Sequence, residues 1–425
     1  MISLFILKPN TRGMRYGIGT YINQLTGSLL TKEDINIFIV NYLSSEYKEF
    51  TIISKSIKLT EIHIPSPIAM LINEKQGQKY ANRIVDLLAP IVQKCPNPIF
   101  QINHPDALPI VKHLKTQFSV PVVSVIHLAL WQFIYDGNKQ KFDQVWTTER
   151  EANADIIKTI EAEKELYEIS DKVVSVTGYM KDFIMNYFNI SEKKIEVIPN
   201  GIDKSVFHMI NKDEKESVKQ SFGFARDEII ILYSGRLDKG KGIYSLINAF
   251  NLVCKQCNNI RLVLAGEDSG ANRISQYLGH CTNIWGKVTF TGFVEYEIIN
   301  KLYQIADIGI IPSLYDHCPY VALEMIGYNV PLIISNTEGL NEILTKDQCI
   351  LITPIVDNDG NITLEENDIA DAILSFTRNE SSITNYIISD YQDLMKTKFS
   401  SKRMGKEMYS LLLNLQTTEV QTCFS

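Results

Sequence analysis

Two stretches of the chain concentrate residue types able to hold a phosphorylated ligand. The first is Tyr233-Ser-Gly-Arg-Leu-Asp-Lys-Gly-Lys-Gly242, directly after a β-branched apolar run and directly before a helix-like one. Gly235 permits a tight turn at the carboxyl end of a strand, where open α/β sheets bind their ligands. Arg236 offers a planar fork of donors and Lys241 a compact charge, five residues apart. Such a pair suits the two phosphates of a diphosphate. A solvated basic turn is the other reading of this segment taken alone, and the spacing of a P-loop is not met. The second stretch is Ile311-Pro-Ser-Leu-Tyr-Asp-His-Cys-Pro-Tyr-Val-Ala-Leu-Glu-Met-Ile326. Asp316 falls in the loop after an expected strand, and Glu324 eight residues later falls in the first turns of a helix expected from near Tyr320. Carboxylates accept from hydroxyls, so one acid can take a sugar and the other a ribose. The helix N-terminus between them would face phosphates. Ordinary surface acids are the alternative here.

A third candidate follows the first apolar run: Asn10-Thr-Arg-Gly-Met-Arg-Tyr-Gly-Ile-Gly-Thr20. Gly17 and Gly19 allow close backbone approach at the start of a helix. A dinucleotide fingerprint would need a third glycine where Ile22 stands, which disfavours NAD and leaves a ligand-free glycine turn as the competing reading.

Positioning such groups requires strand ends, and the chain supplies them throughout. Candidate strands are 3–7, 35–41, 122–126, 172–176, 195–199, 229–234, 261–265, 288–291, 308–312 and 332–335, all continuous apolar runs of the kind covered by helices on both faces. Helix-like segments such as 20–30, 243–253 and 320–328 lie between them. This alternation predicts parallel sheets built from βαβ units. The pattern restarts after Pro199-Asn200-Gly201, and a polar stretch from Asn211 to Glu228 precedes the new strand, which places a domain boundary near residue 205. The amphipathic stretch from about Ser400 to Leu415 is expected to pack back on the first domain.

With 425 residues, two domains are the natural expectation. A net charge of −7 argues against wholesale nucleic-acid binding. The near charge balance of the first domain permits peripheral membrane contact without indicating it. No apolar run approaches the length needed to cross a bilayer, and the apolar opening 1–8 reads as a buried strand rather than a signal peptide. Seven cysteines (95, 254, 257, 281, 318, 349 and 423) form no framework, which suits a reducing compartment and gives the expectation of a cytoplasmic protein. Cys254 and Cys257 form one C-x-x-C within a helix-like stretch, read as structural because no second pair accompanies it.

In combination these segments resemble the GT-B retaining glycosyltransferases of family 4, over nearly the whole chain. The likeness rests on Gly17-Ile-Gly19, Pro199-Asn200-Gly201, Gly235-Arg236 through Lys241-Gly242, Asp316 and Glu324 in an acid-x7-acid motif after Pro312-Ser313, Pro331, Gly339-Leu-Asn-Glu342, and the closing Phe399-Ser-Ser-Lys-Arg-Met404 with Tyr409. The resemblance implies two Rossmann-like domains facing each other across a cleft: an acceptor domain over 1–205, a nucleotide-sugar domain over 206–399, and a C-terminal helix over 400–425. It implies sugar transfer from a nucleoside-diphosphate sugar to a glycan, lipid or peptide, with no metal or other cofactor. Arg236, Lys241, Asp316 and His127 take the catalytic roles in that comparison. Donor binding falls to Gly17, Gly19, Gly235, Arg236, Lys241 and Asp316, together with His317, Cys318, Tyr320, Val321 and Glu324. Another GT-B activity, such as an epimerase or a phosphorylase, and a non-catalytic nucleotide-sugar-binding subunit are the alternatives.

The sequence departs from the family pattern at three places. Asp316 replaces a usual Glu, Pro319 a usual glycine with loss of one backbone N–H, and Asn329 a usual helix-ending glycine. His127, at the end of a buried run, is either near the acceptor or a histidine satisfied by backbone; Leu128 stands where the family commonly has Asp. Trp131, Phe133 and Tyr135 are read as core before acceptor stacking, and His104 with Asp106 as a weaker pair of the same kind. Asp357-Asn-Asp359-Gly is read as a turn despite its likeness to a D-x-D metal motif.

Overall fold

The computed structural model describes residues 1–10, 16–66, 74–268, 273–378 and 391–422. The chain forms two compact units. The first holds Met1–Leu130, Glu149–Gly201 and the C-terminal Ser401–Ser425; the second holds Trp131–Thr148 and Ile202–Ser400. Residues 131–148, expected with the first domain, therefore cluster with the second. The reason is packing. Asn138 donates to the Asp359 carbonyl at 3.0 Å and Asp136 pairs with Lys239, while within the segment the buried Trp131 stacks on Phe142 at 4.9 Å.

The first unit is built on an eight-stranded sheet: β1 (Ile2–Pro9), β2 (Ile35–Ser44), β3 (Thr51–Ser54), β4 (Leu59–Pro65), β5 (Pro98–Ile102), β6 (Val122–Ile126), β7 (Lys172–Ser175) and β8 (Ile195–Val197). Their order is β3-β4-β2-β1-β5-β6-β7-β8, parallel except for the β3–β4 pair. Phe5 stands in register with Phe38 on one side and Phe100 on the other, and stacks on both at 4.5 and 4.9 Å. An aromatic row across three adjacent strands fixes their register, because a one-residue slip would turn each ring to the opposite face. The Gly17–Leu29 helix follows β1, and the C-terminal Ser401–Thr422 helix packs against it. Met404, Met408, Leu411 and Leu412 form that helix's buried stripe. Gly405 lies so close to Ser28 that an added Cβ would overlap its side chain. Tyr409 donates to Asp34 at 2.5 Å, and Arg403 to the Pro199 carbonyl at 2.6 Å.

The second unit is a parallel sheet of β9 (Ile229–Ser234), β10 (Ile260–Ala265), β11 (Val288–Gly292), β12 (Ile308–Ile311), β13 (Leu332–Ser335) and β14 (Ile350–Ile352), in the order β11-β10-β9-β12-β13-β14. Its strands are apolar on both faces, as strands covered on both sides must be. The polar stretch 211–228 contains a helix, Lys212–Ser221, opened by a capping box of Asn211 and Glu214. Cys254 lies just past the end of the Ile243–Val253 helix and Cys257 three residues further, outside the helix expected for them. No helix among the described residues is long and apolar enough to cross a membrane.

Asp307 fastens the amino edge of this sheet. Its carboxylate accepts from Lys215 at 2.6 Å, from the buried Lys219 at 2.9 Å and from the Ile230 amide at 2.9 Å. Removing it strands a buried ammonium, so Asp307→Ala is expected to cost about 3 kcal/mol in urea unfolding. A variant within about 0.5 kcal/mol of the parent would show that water replaces the carboxylate without loss.

Candidate active site

In the second unit the chain runs from β9 outward through β10 and β11, then returns to place β12 on the other side of β9. The strand order reverses between β9 and β12. Such a point opens a crevice at the carboxyl ends, because the loops leaving the two strands turn to opposite sides. The loop after β9 is Gly235–Gly242 and the loop after β12 is Pro312–Pro319. The two basic and two acidic candidates thus meet at one sheet edge.

The loops interlock through backbone. The Leu314 amide donates to the Gly240 carbonyl at 2.8 Å. Gly242 takes φ +66°, and a Cβ there would overlap the Pro312 carbonyl oxygen, so only glycine fits. Lys241 is thereby held with its ammonium 2.6 Å from the Asp316 carboxylate, both side chains largely covered. Asp316 also receives the Ser313 hydroxyl at 3.3 Å and the His317 amide at 3.1 Å. Arg236 lies 3.4 Å from Asp238 and remains about a third exposed, with a face open to a ligand.

The Tyr320–Gly327 helix begins at Pro319, which supplies no side-chain cap, and the Ala322 amide donates to the Pro319 carbonyl at 3.1 Å. Cys318 is buried and takes φ +48°, a left-handed geometry uncommon for a side chain of its size. His317 is buried and its Nε2 meets the Gln132 carboxamide oxygen at 2.5 Å. Burial pulls its imidazole down to about 4, against the raising effect of Asp316, so it is neutral at pH 7. Glu324 accepts the Tyr303 hydroxyl at 2.6 Å, and that hydroxyl lies 3.3 Å from Ser234 at the end of β9. Burial lifts the Glu324 carboxyl to about 7, with the Tyr303 hydrogen bond opposing. Asn329 ends this segment with φ +56°, the conformation a glycine would otherwise supply.

Gly235, Arg236, Lys241, Asp316, His317, Cys318, Tyr320, Val321 and Glu324 therefore belong to one edge of the second unit. Gly17, Gly19 and His127 belong to the first. Gly17 opens the Gly17–Leu29 helix, and nothing lies within 4 Å of where its Cβ would be, so packing does not demand glycine there. Residues 11–15 of that loop lie outside the described residues. His127 follows β6; its Nε2 lies 3.2 Å from the Asn103 carboxamide oxygen, and its ring meets Tyr21 edge-on at 4.7 Å. Burial, with the His104 charge second, brings it down to about 3. His104 caps the Pro105–Ala107 turn, its Nδ1 accepting the Asp106 amide at 3.3 Å. Of the three aromatics, Trp131 is core while Phe133 is exposed. Asp357 accepts the Asp359 and Asn361 amides at 2.9 and 2.8 Å, tying the turn between β15 (Ile355–Val356) and β16 (Ile362–Thr363). Gln132 and Tyr303 carried no signal in the sequence, since each meets its partner only through the fold.

Both halves of the chain are similar to known glycosyltransferases. Residues 214–389 match the family model described as Glycosyl transferases group 1, and residues 61–206 the model described as Glycosyltransferase Family 4. An uncharacterized glycosyltransferase of Methanocaldococcus jannaschii is 36% identical over 179 residues, covering 42% of this chain and 45% of that protein. Mannosylfructose-phosphate synthase of Agrobacterium fabrum is 28% identical over 188 residues, 43% of this chain and 41% of the relative. The match thus spans less than half the length of these curated relatives. Among solved structures, sucrose-phosphate synthase of Thermosynechococcus elongatus superposes with a TM-score of 0.78 at 19% identity, over 98% of this chain and all of that one. Anabaena HepE, solved in complex with UDP, gives 0.70 at 14% identity, over 97% and 100% of the two chains. The two parallel-sheet α/β units are those of the GT-B fold.

The environment of Glu324 gives a stability test. Its carboxyl ionises near 4.5 when unfolded but only near 7 in the folded protein, so stability falls as pH rises between those values. Glu324→Gln keeps an acceptor for Tyr303 and carries no such penalty. Its melting temperature is expected to exceed the parent's at pH 8 and to converge with it at about pH 4.5 and below, measured by calorimetry. A variant less stable than the parent at pH 8 would contradict the assignment.

Proposed function

We propose that the chain is a GT-B glycosyltransferase, a retaining enzyme moving a sugar from a nucleoside-diphosphate sugar to a glycan, lipid or peptide acceptor. The observation that carries the reading is the convergence of Arg236, Lys241, Asp316 and Glu324 at the β9/β12 crevice, with Lys241 already paired to Asp316 at 2.6 Å. UDP in the Anabaena HepE structure supports a nucleoside diphosphate as the ligand class.

In this reading the donor's diphosphate lies between Arg236, Lys241 and the first amides of the Tyr320–Gly327 helix. Breaking the anomeric C–O bond leaves the shared electron pair, and so negative charge, on the departing diphosphate oxygen. Cations and amide dipoles fixed in advance stabilise that charge more than the intact donor, which lowers the barrier. Lys241 has three N–H donors. Asp316 occupies one and fixes the ammonium's position, leaving two for phosphate oxygens. Glu324, ionised by the approach of ribose hydroxyls, accepts from them. Asp316, one methylene shorter than a glutamate, accepts from the sugar. The reading assigns the leaving-group charge to side chains and amides rather than to a metal ion. His127 is assigned to the acceptor side as a neutral imidazole that orients an acceptor hydroxyl by hydrogen bonding, since burial disfavours its protonated form. In the retaining mechanism the acceptor attacks from the face that the diphosphate leaves.

A thermal-shift series with UDP, GDP, ADP and CMP, without added metal, tests the donor site. One nucleoside diphosphate is expected to raise the midpoint, as a ligand of the folded state alone must. Arg236→Ala should abolish that shift, and Arg236→Ala or Lys241→Ala should each lower turnover by about a hundredfold or more. Near-parental turnover in both variants would overturn the assignment.

A further inference from the structure

The segment Trp131–Thr148 interrupts the first unit's sequence yet belongs to the second unit, and it reaches the candidate donor site by three separate contacts. Asp136 pairs with Lys239 at 3.0 Å, two residues before Lys241. Gly137 lies against Tyr315, beside Asp316. Gln132, itself buried, meets His317 at 2.5 Å. The last contact is the most directional. Facing an oxygen acceptor, the neutral imidazole carries its proton on Nε2, which leaves Nδ1 as the acceptor nitrogen.

His317 sits at the tightest point of the β12 loop. Its own amide binds Asp316, and the next residue is Cys318 with φ +48°. A side chain in that region costs on the order of 1 kcal/mol and persists only where its surroundings over-determine it. The far side of the imidazole is also fixed: Gly339, at φ +85°, would place an added Cβ 2.5 Å from His317 Nδ1 and 2.6 Å from the Asp316 carbonyl. The ring is therefore clamped between the Gly339 backbone and the Gln132 carboxamide. The backbone it anchors carries Asp316 on one side and the start of the Tyr320–Gly327 helix on the other.

We propose that Gln132 is a positioning residue of the donor site, holding His317 in one tautomer and orientation so that Asp316 and the amides after Pro319 are fixed before the nucleotide arrives. The assignment rests on the donor-site reading above and extends it to a residue 185 positions away in sequence. Gln132 touches no reacting atom in this scheme. It acts through His317.

Gln132→Met keeps the length and shape of the side chain but removes the acceptor, while Gln132→Glu keeps an acceptor oxygen at the same reach. Nucleoside-diphosphate binding by calorimetry is read together with the ring 15N resonances of His317, assigned with His317→Asn. Gln132→Met is expected to lose the single Nε2–H tautomer and to raise the dissociation constant about tenfold, the effect of one buried hydrogen bond. Gln132→Glu is expected to return binding to within about threefold of the parent. Parental binding by Gln132→Met, or binding by Gln132→Glu as weak as that of Gln132→Met, would overturn the proposal while leaving the donor site intact. Failure of the unaltered protein to bind any of the four nucleotides would instead overturn the donor-site reading, and the role given to Gln132 with it.

Discussion

The adjacency of β9 and β12 is the constraint on which the rest of the candidate site depends. Two strands far apart in sequence become neighbours because the chain builds one half of the sheet outward and then returns to build the other. The loops that leave them must share the same crevice, and two backbone contacts decide how closely. One is the Leu314 amide on the Gly240 carbonyl; the other is the approach of Gly242 to Pro312, which tolerates no side chain. Lys241 and Asp316 are 2.6 Å apart as a consequence of those contacts rather than as their cause. The pair is largely covered, so Coulomb attraction is offset by the cost of desolvating both charges, and its value lies in aiming the ammonium.

Stability and function separate along the strands of the second unit. At the amino edge, Asp307 gathers two lysines and an amide. At the carboxyl edge the balance reverses. Glu324 is held where its charge is disfavoured, His317 where its protonated form is, and Cys318 in a left-handed conformation. Strain and shifted ionisation gathered at one edge are what a binding site built in advance of its ligand requires, and the ion-paired opposite edge offsets their cost.

Much of this was legible in the sequence because the signals are local. Continuous apolar runs marked ten of the strands, and the acidic and basic motifs stand immediately after two of them, where topology alone assigns them to a sheet edge. What escaped depended on contacts between distant segments. β3 alternates between half-buried and exposed positions, and β4 carries Thr60, Glu61 and His63 among its apolar residues, so both lack the continuous apolar run of the ten. Neither they nor the two- and three-residue strands β14, β15 and β16 are among the expected strands. Residues 131–148 follow a first-unit strand and carry no composition break, yet Asp136 and Asn138 find their partners in the rest of the second unit. Gln132 and Tyr303 are ordinary residues by type; only the fold puts one against His317 and the other against Glu324. The C-x-x-C pair was misplaced for a simpler reason: the helical pattern ends at Val253, and a period-based reading does not see a helix stop before its apolar residues do.

The departures from the family pattern can be followed through the same geometry. Proline at 319 removes an amide, but its fixed φ of −65° suits the residue that opens a helix. The turn that a glycine would have eased falls instead on Cys318, one residue earlier. A loop with its strain at Cys318 needs an anchor at its neighbour, and His317 provides one by reaching Gln132. Asp316, shorter than a glutamate, cannot stretch as far toward a ligand, and it is held back further by Lys241 and Ser313. In the proposed donor site the sugar must therefore sit deeper against the loop, and recognition shifts from a reaching carboxylate to a rigid backbone. Rigidity in such a loop is supplied from outside it, which is why a residue from segment 131–148 acquires a part in binding the donor.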